Sequence, residues 1–95
     1  MKTRIAFDVD GTLITKTSNG DVPRYDVINM LLFLERIGHT IFVWSGGGVD
    51  YAETWVRKLG LPNTVRVIPK SAKEFDIQLA FDDQDADLGA VTVRV

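Results

Sequence analysis

Asp8 and Asp10 stand one residue apart at the end of the run Arg4-Ile5-Ala6-Phe7-Asp8-Val9-Asp10-Gly11-Thr12-Leu13-Ile14. A carboxylate at the end of an apolar strand is costly to bury, so its presence there asks for a use. A carboxylate oxygen can attack phosphorus and form an aspartyl-phosphate, which splits one hard hydrolysis into two easier steps. A second carboxylate two residues on is placed to protonate the leaving oxygen and then to deprotonate water. Gly11 permits a tight turn, and the Thr12 hydroxyl could hydrogen-bond a carboxylate. The plainer alternative is a strand-end aspartate followed by an ordinary Asp-Gly turn.

Three further groups carry chemistry-bearing side chains. Ser45-Gly46-Gly47-Gly48 lies where a strand gives way to a helix, and backbone N–H groups at such a junction attract anions. The Lys-Ser/Thr ending of a P-loop is absent. Lys70, and Lys73 one turn later, could each neutralise charge on a transferring phosphoryl group, a reaction governed by positioning and electrostatics. Asp82 and Asp83 close another apolar run and suit a hard cation such as magnesium, which takes one or two carboxylates plus water and phosphate oxygens. Asp85 and Asp87 extend the acidic tract, Asp85 as a solvated residue; the spacing does not fit an EF-hand.

The elements that must position these groups follow from the apolar pattern. Strands are expected at Thr3–Phe7, Thr40–Trp44, Val65–Ile68, Ile77–Phe81 and, as a half-wet edge, Ala90–Val95. Asn19-Gly20 signals a tight turn, so Gly11 to Val22 reads as a loop that could fold as a hairpin flap. A broadly apolar and therefore well-covered helix is expected from Pro23 to about Ile37, with Gly38 as its stop. A second runs from the glycines to about Leu59, its inner face traced by Val49, Ala52, Trp55, Val56 and Leu59. Strands alternating with helices imply a mostly parallel sheet with helices on its faces. In such sheets ligands sit beyond the carboxyl ends of the strands, and all four polar groups fall there. The Ile68–Ile77 link is short for a parallel crossover, which usually needs about a dozen residues.

The chain has 95 residues, 13 acidic and 11 basic, with a net charge of −2. That length is one domain, residues 1–95. The slight acidity offers no basic field for a long nucleic-acid footprint or an anionic membrane, though a single terminal phosphate of a polynucleotide stays open. There is no cysteine, which excludes disulfides and thiolate metal sites. No apolar run approaches the roughly 20 residues of a membrane span, and no leader pattern opens the chain. The expected location is the cytoplasm. His39 after the helix-stop glycine is expected to be exposed, and Trp44 and Trp55 to pack in or near the core.

The order Asp8-x-Asp10-Gly11-Thr12-Leu13, then Ser45, then a lysine, then Asp82-Asp83 resembles the four motifs of the haloacid dehalogenase (HAD) superfamily, over nearly the whole chain. The resemblance implies a Rossmann-like three-layer sandwich with a mostly parallel central sheet, without a cap domain, and a magnesium-dependent phosphatase working through an aspartyl-phosphate. Carried over, Asp8 is nucleophile and metal ligand, and Asp10 is acid/base with its backbone carbonyl on Mg2+. Ser45 and Gly46 bind phosphate. Asp83 is the direct metal ligand of the last motif, with Asp82 beside it. Lys73-Glu74-Phe75-Asp76 is similar to the lysine approach of small members, which favours Lys73, with Lys70 as the alternative. An aspartate at position 10 favours a phosphatase over the dehalogenases.

Two other readings compete. A non-catalytic phosphate- or metal-binding module on the same fold is weakened by the presence of every motif residue. A receiver-type phosphoacceptor would need its acceptor aspartate after the third strand, where Ile68-Pro69-Lys70 stands. The substrate is a phosphorylated compound of open class. A homo-oligomer through the C-terminal edge strand is expected to show by sedimentation.

Overall fold

Ile5, Ala6 and Phe7 are all almost fully buried, so the first strand has protein on both faces. That is why it reads as an unbroken apolar run rather than an alternating one. The computed structural model describes residues 2–72, 74–84 and 91–95. In chain order these form β1 (Arg4–Asp8), β2 (Ile14–Thr17), β3 (Gly20–Pro23), α1 (Tyr25–Arg36), β4 (Thr40–Trp44), α2 (Val49–Lys58), β5 (Arg66–Val67), β6 (Leu79–Asp82) and β7 (Val91–Arg94). Five strands form one sheet in the order β5-β4-β1-β6-β7, and every pairing in it is parallel. β2 and β3 form a separate antiparallel hairpin. The fold is a small α/β unit with β1 at its centre.

Side chains alternate across the sheet and divide the core in two. Ile5, Phe7, Ile41 and Val43 pack with Val27, Ile28 and Leu31 of α1 and with Ala52 and Trp55 of α2. Both helices therefore cover one face. On the other, Ala6, Phe42, Trp44 and Ala80 pack under Ile68, Phe75 and Ile77. These last come from the short link between β5 and β6. The three-layer expectation is thus met in part: among the described residues the second face is covered by an irregular segment, not by helices. The link must cross from β5 past β4 and β1 to reach β6, and it does so with turns because it is too short to wind a helix and still span those strands.

Several boundaries differ from the sequence expectations. Pro23 does not open a helix; it pairs with Ile14 as the end of β3, an edge where its missing N–H is harmless. The hairpin turn is centred on Ser18 and Asn19, with Thr17 paired to Gly20. Gly20 takes the positive φ of 113°, so the glycine ends the turn instead of sitting inside it. α1 is covered along one stripe only; Tyr25, Met30, Phe33 and Ile37 are exposed. His39 is half-buried, its Nδ1 accepting the Thr3 N–H at 3.0 Å. β5 shrinks to two residues and β6 begins two residues later than expected, at Leu79. β7 lies at the sheet edge as expected. Trp44 and Trp55 are core residues. Lys73, Asp85, Asp87 and Ala90 lie outside the described residues. Among the described residues no helix is long and apolar enough to cross a membrane.

Candidate active site

β1 and β6 are neighbours in register, with Phe7 opposite Phe81. Those two rings stack at 4.5 Å between centroids and anchor the strand ends on the helix-covered face. The next residue on each strand is an aspartate. Alternation sends Asp8 and Asp82 to the opposite face from the rings, side by side at the carboxyl edge. Asp8 is 6% exposed and Asp82 1%.

Lys70, just past β5, reaches over to both carboxylates. Its Nζ lies 3.2 Å from Asp8 Oδ1 and 2.9 Å from Asp82 Oδ2. The contact to Asp82 is an ion pair on a buried oxygen. Asp82 Oδ1 accepts the Gln84 N–H at 3.1 Å. Among the described residues Lys70 is the lysine at the acidic pair; Lys73 lies outside them.

Asp10 is held by a self-contained turn. The Val9 carbonyl accepts the N–H groups of Thr12, Leu13 and Ile14, and Gly11 N–H donates back to the Ile14 carbonyl at 2.8 Å. Gly11 has φ +80°, and a Cβ there would overlap the Asp83 carboxylate. Glycine is required at this position both by conformation and by the approach of Asp83. Arg24 clamps the turn from outside, donating from Nη1 to the Gly11 carbonyl at 3.0 Å. Thr12 is fully buried, and its hydroxyl has no hydrogen-bond partner among the described residues. It does not bind a carboxylate as the sequence suggested; it packs.

The turn after β4 supplies donors. Ser45 Oγ accepts the Gly47 N–H at 3.0 Å, and the Ser45 carbonyl accepts the Gly48 N–H at 3.1 Å. These bonds leave the Ser45 O–H and the Gly46 N–H unused by the turn itself. Gly48, with φ +102°, lets the chain enter α2. Gly47 makes room: a Cβ would sit 3.1 Å from the Tyr51 ring. That ring belongs to the first turn of α2, and the Tyr51 hydroxyl donates to Asp10 Oδ1 at 2.6 Å.

Asp8, Asp10, Ser45, Gly46, Gly47, Lys70, Asp82, Asp83 and Gln84 line a single open cleft of about 280 Å³. Carboxylate oxygens of Asp8, Asp82 and Asp83 lie within 4.8 Å of one another. Of the expected site residues, the structure therefore brings together Asp8, Asp10, Ser45, Gly46, Lys70, Asp82 and Asp83.

Burial pushes the Asp8 carboxyl up to about 6, against the pull of Lys70 and with a further push from Asp82. Burial and a hydrogen bond to Asp82 raise Asp83. Burial opposes ionisation of Asp82 as well, but its bonds to Lys70, the Gln84 N–H and Asp83 outweigh it and hold Asp82 low. Burial works against the charge on Lys70, yet its two carboxylate partners raise it overall, so it stays cationic. Among the described residues the cleft then holds four carboxylates, Asp8, Asp10, Asp82 and Asp83, against the one cation of Lys70, and burial makes Asp8 and Asp83 reluctant to ionise. With oxygens of Asp8, Asp82 and Asp83 gathered within 4.8 Å, this is a donor set suited to a hard divalent cation.

Tyr51 and Gln84 are the lining or supporting residues that the sequence did not single out. A tyrosine in an amphipathic helix carries no signal of its own; the adjoining glycine run marks only that something packs closely there. No protein-family model matches the chain, and no curated protein sequence matches it.

Proposed function

We propose that the chain is a HAD-type, capless phosphatase that hydrolyses a phosphomonoester through an aspartyl-phosphate on Asp8. The observation that carries this reading is the convergence of Asp8, Asp10, Ser45, Gly46 and Lys70 on one cleft from three strand ends.

In this reading Ser45 O–H, Gly46 N–H and Lys70 bind the phosphoryl oxygens. Asp8 attacks phosphorus as the ester oxygen departs, and Asp10 delivers its proton to that oxygen. Asp10, now a carboxylate, takes a proton from the water that attacks the same phosphorus. The bond from phosphorus to Asp8 then breaks, releasing inorganic phosphate and restoring the Asp8 carboxylate. Lys70 spans Asp8 and Asp82 and thus holds the nucleophile while balancing part of the charge. Asp8, Asp83 with Asp82, and the Asp10 carbonyl would hold Mg2+. When bound, the ion offsets the repulsion between carboxylates and phosphate.

Hydrolysis of para-nitrophenyl phosphate by the purified chain, with and without Mg2+, tests the reading beside Asp8→Asn. The expected result is turnover that requires Mg2+ and is absent in the variant. A wild-type chain that binds Mg2+ but turns over neither this ester nor phosphorylated macromolecules would instead identify a binding module.

A further inference from the structure

Asp10 is not free to rotate. One of its oxygens, Oδ1, accepts the Tyr51 hydroxyl at 2.6 Å, a short bond. The other, Oδ2, has no hydrogen-bond partner among the described residues. A hydroxyl that donates to one carboxyl oxygen leaves the acid proton to the other. Tyr51 therefore decides which Asp10 oxygen carries a proton and which accepts one.

Tyr51 is itself fixed on two sides. Its ring rests on Gly47, the one position of the glycine turn where a methyl group would strike it. Across the ring lies Lys16 of the hairpin strand β2, with Nζ 6.0 Å from the centroid. The carboxylates of Asp10 and Asp21 favour the charged form of Lys16. The Asp10 turn, the Ser45–Gly48 turn and the hairpin thus all meet at one side chain, 41 residues from Asp10 in sequence.

We infer that Tyr51 is a positioning residue for proton transfer: seated on Gly47, it binds Asp10 Oδ1 and presents Oδ2 to the leaving oxygen and later to water. The inference rests on the phosphatase reading. Tyr51 is not among the residues that line the cleft, so it governs the proton and not the binding of phosphate.

The test uses leaving groups. Para-nitrophenol departs readily as an anion, whereas phenol, with a pKa of about 10 as in tyrosine, needs its oxygen protonated. We expect Tyr51→Phe to lower kcat/KM for phenyl phosphate about tenfold, within the range of general acid catalysis. For para-nitrophenyl phosphate the loss should be about threefold or less by the same argument. Inhibition by inorganic phosphate should be unchanged, because the donors at Ser45, Gly46 and Lys70 stay in place. Gly47→Ala, which crowds the ring from the other side, should reproduce the same leaving-group signature more weakly.

Asp10→Asn separates the possible failures. If it widens the gap between the two esters and Tyr51→Phe does not, the role of Tyr51 is refuted while Asp10 keeps its own. If neither variant widens the gap, Asp10 is not the acid and both readings of this side of the cleft fall. Absence of Asp8-dependent turnover in the wild type refutes the phosphatase and this inference with it. Equal losses for both esters in Tyr51→Phe would mark a merely structural contact and overturn the proposal.

Discussion

Replacing Asp8 by asparagine should abolish turnover and make the metal-free protein more stable. The carboxyl of Asp8 rises from 3.8 to about 6 on folding. A raised acid binds its proton more tightly in the folded state, so stability is full at pH values below 3.8 and falls as pH climbs toward 6. At pH 7 the shift corresponds to about 3 kcal/mol against the ionised fold. The cleft is open to water and Lys70 can adjust, so about half of that, ~1.5 kcal/mol, is the expected gain when the charge is removed. Asparagine keeps a carbonyl oxygen for the Lys70 contact now made at 3.2 Å, so little is lost in exchange. For a domain of this size the gain amounts to about 6–12 °C in Tm. The assay is thermal unfolding of both proteins in EDTA at pH 4, 5, 6, 7 and 8. The wild type should lose stability between pH 4 and 6 relative to the variant, and the two curves should run parallel above that. Added Mg2+ should then stabilise the wild type by about 1.4 kcal/mol at ten times its dissociation constant, and the variant less at the same concentration. A variant that melts below the wild type at pH 7 without metal would refute the reasoning. Asp8 would then be a strand-end aspartate that holds the fold, and its burial would need no catalytic explanation.

Lys70→Met should have the opposite effect on stability. It leaves Asp8 and Asp82 without the cation that spans them, at a cost of about 2 kcal/mol after allowing for the partial exposure of the lysine; urea unfolding without metal measures it. Gly11→Ala forces a Cβ onto Asp83 at a φ of +80°, so Mg2+ affinity by calorimetry should fall about tenfold or more as one carboxylate is displaced. Arg24→Ala removes the bond to the Gly11 carbonyl; a loss of about 1 kcal/mol is expected, with kcat falling more than KM in the phosphatase assay because the Asp10 turn loosens.

The parts of the site legible in the sequence are those that are contiguous or that end a strand. Asp8, Asp10 and Gly11 lie within four residues, and Asp82-Asp83 closes a clear apolar run, so strand-end logic alone placed them at one edge. Ser45 followed from the same logic. The choice of lysine did not, because Lys70 and Lys73 both follow the third strand and spacing does not rank them; Lys70 contacts the acids, and Lys73 lies outside the described residues. Lys70 reaches both acids from the segment that follows β5. Tyr51 was illegible for a different reason. Its partner is 41 residues away, and its helix position looks like any half-buried aromatic. The fold divided in the same way. β4 was read to the residue because both its faces are buried, whereas β5 and β6 were misplaced where the chain leaves the sheet to cross it. Pro23 was misread because a proline that opens a helix and one that ends an edge strand look alike until the pairing partner, Ile14, is known.

The charge balance of the cleft offers a test between a working site and a structural ion-pair network. A network selected for stability would match its charges, and removing any member would weaken the fold. Among the described residues Asp8, Asp82 and Asp83 face one lysine, Lys70, and burial itself resists ionisation of Asp8 and Asp83. The three substitutions therefore part company. Loss of Asp8 should strengthen the metal-free fold, and loss of Lys70 should weaken it. Crowding of Asp83 from Gly11 should leave Asp8 and Lys70 paired but reduce the affinity for a cation. A structural network predicts loss of stability in all three and no dependence on Mg2+ in any. The sheet tolerates the imbalance because the stacked Phe7 and Phe81 lie one residue below the acids. The strand ends are thus anchored by apolar packing before the chain reaches the charges it would otherwise not hold together.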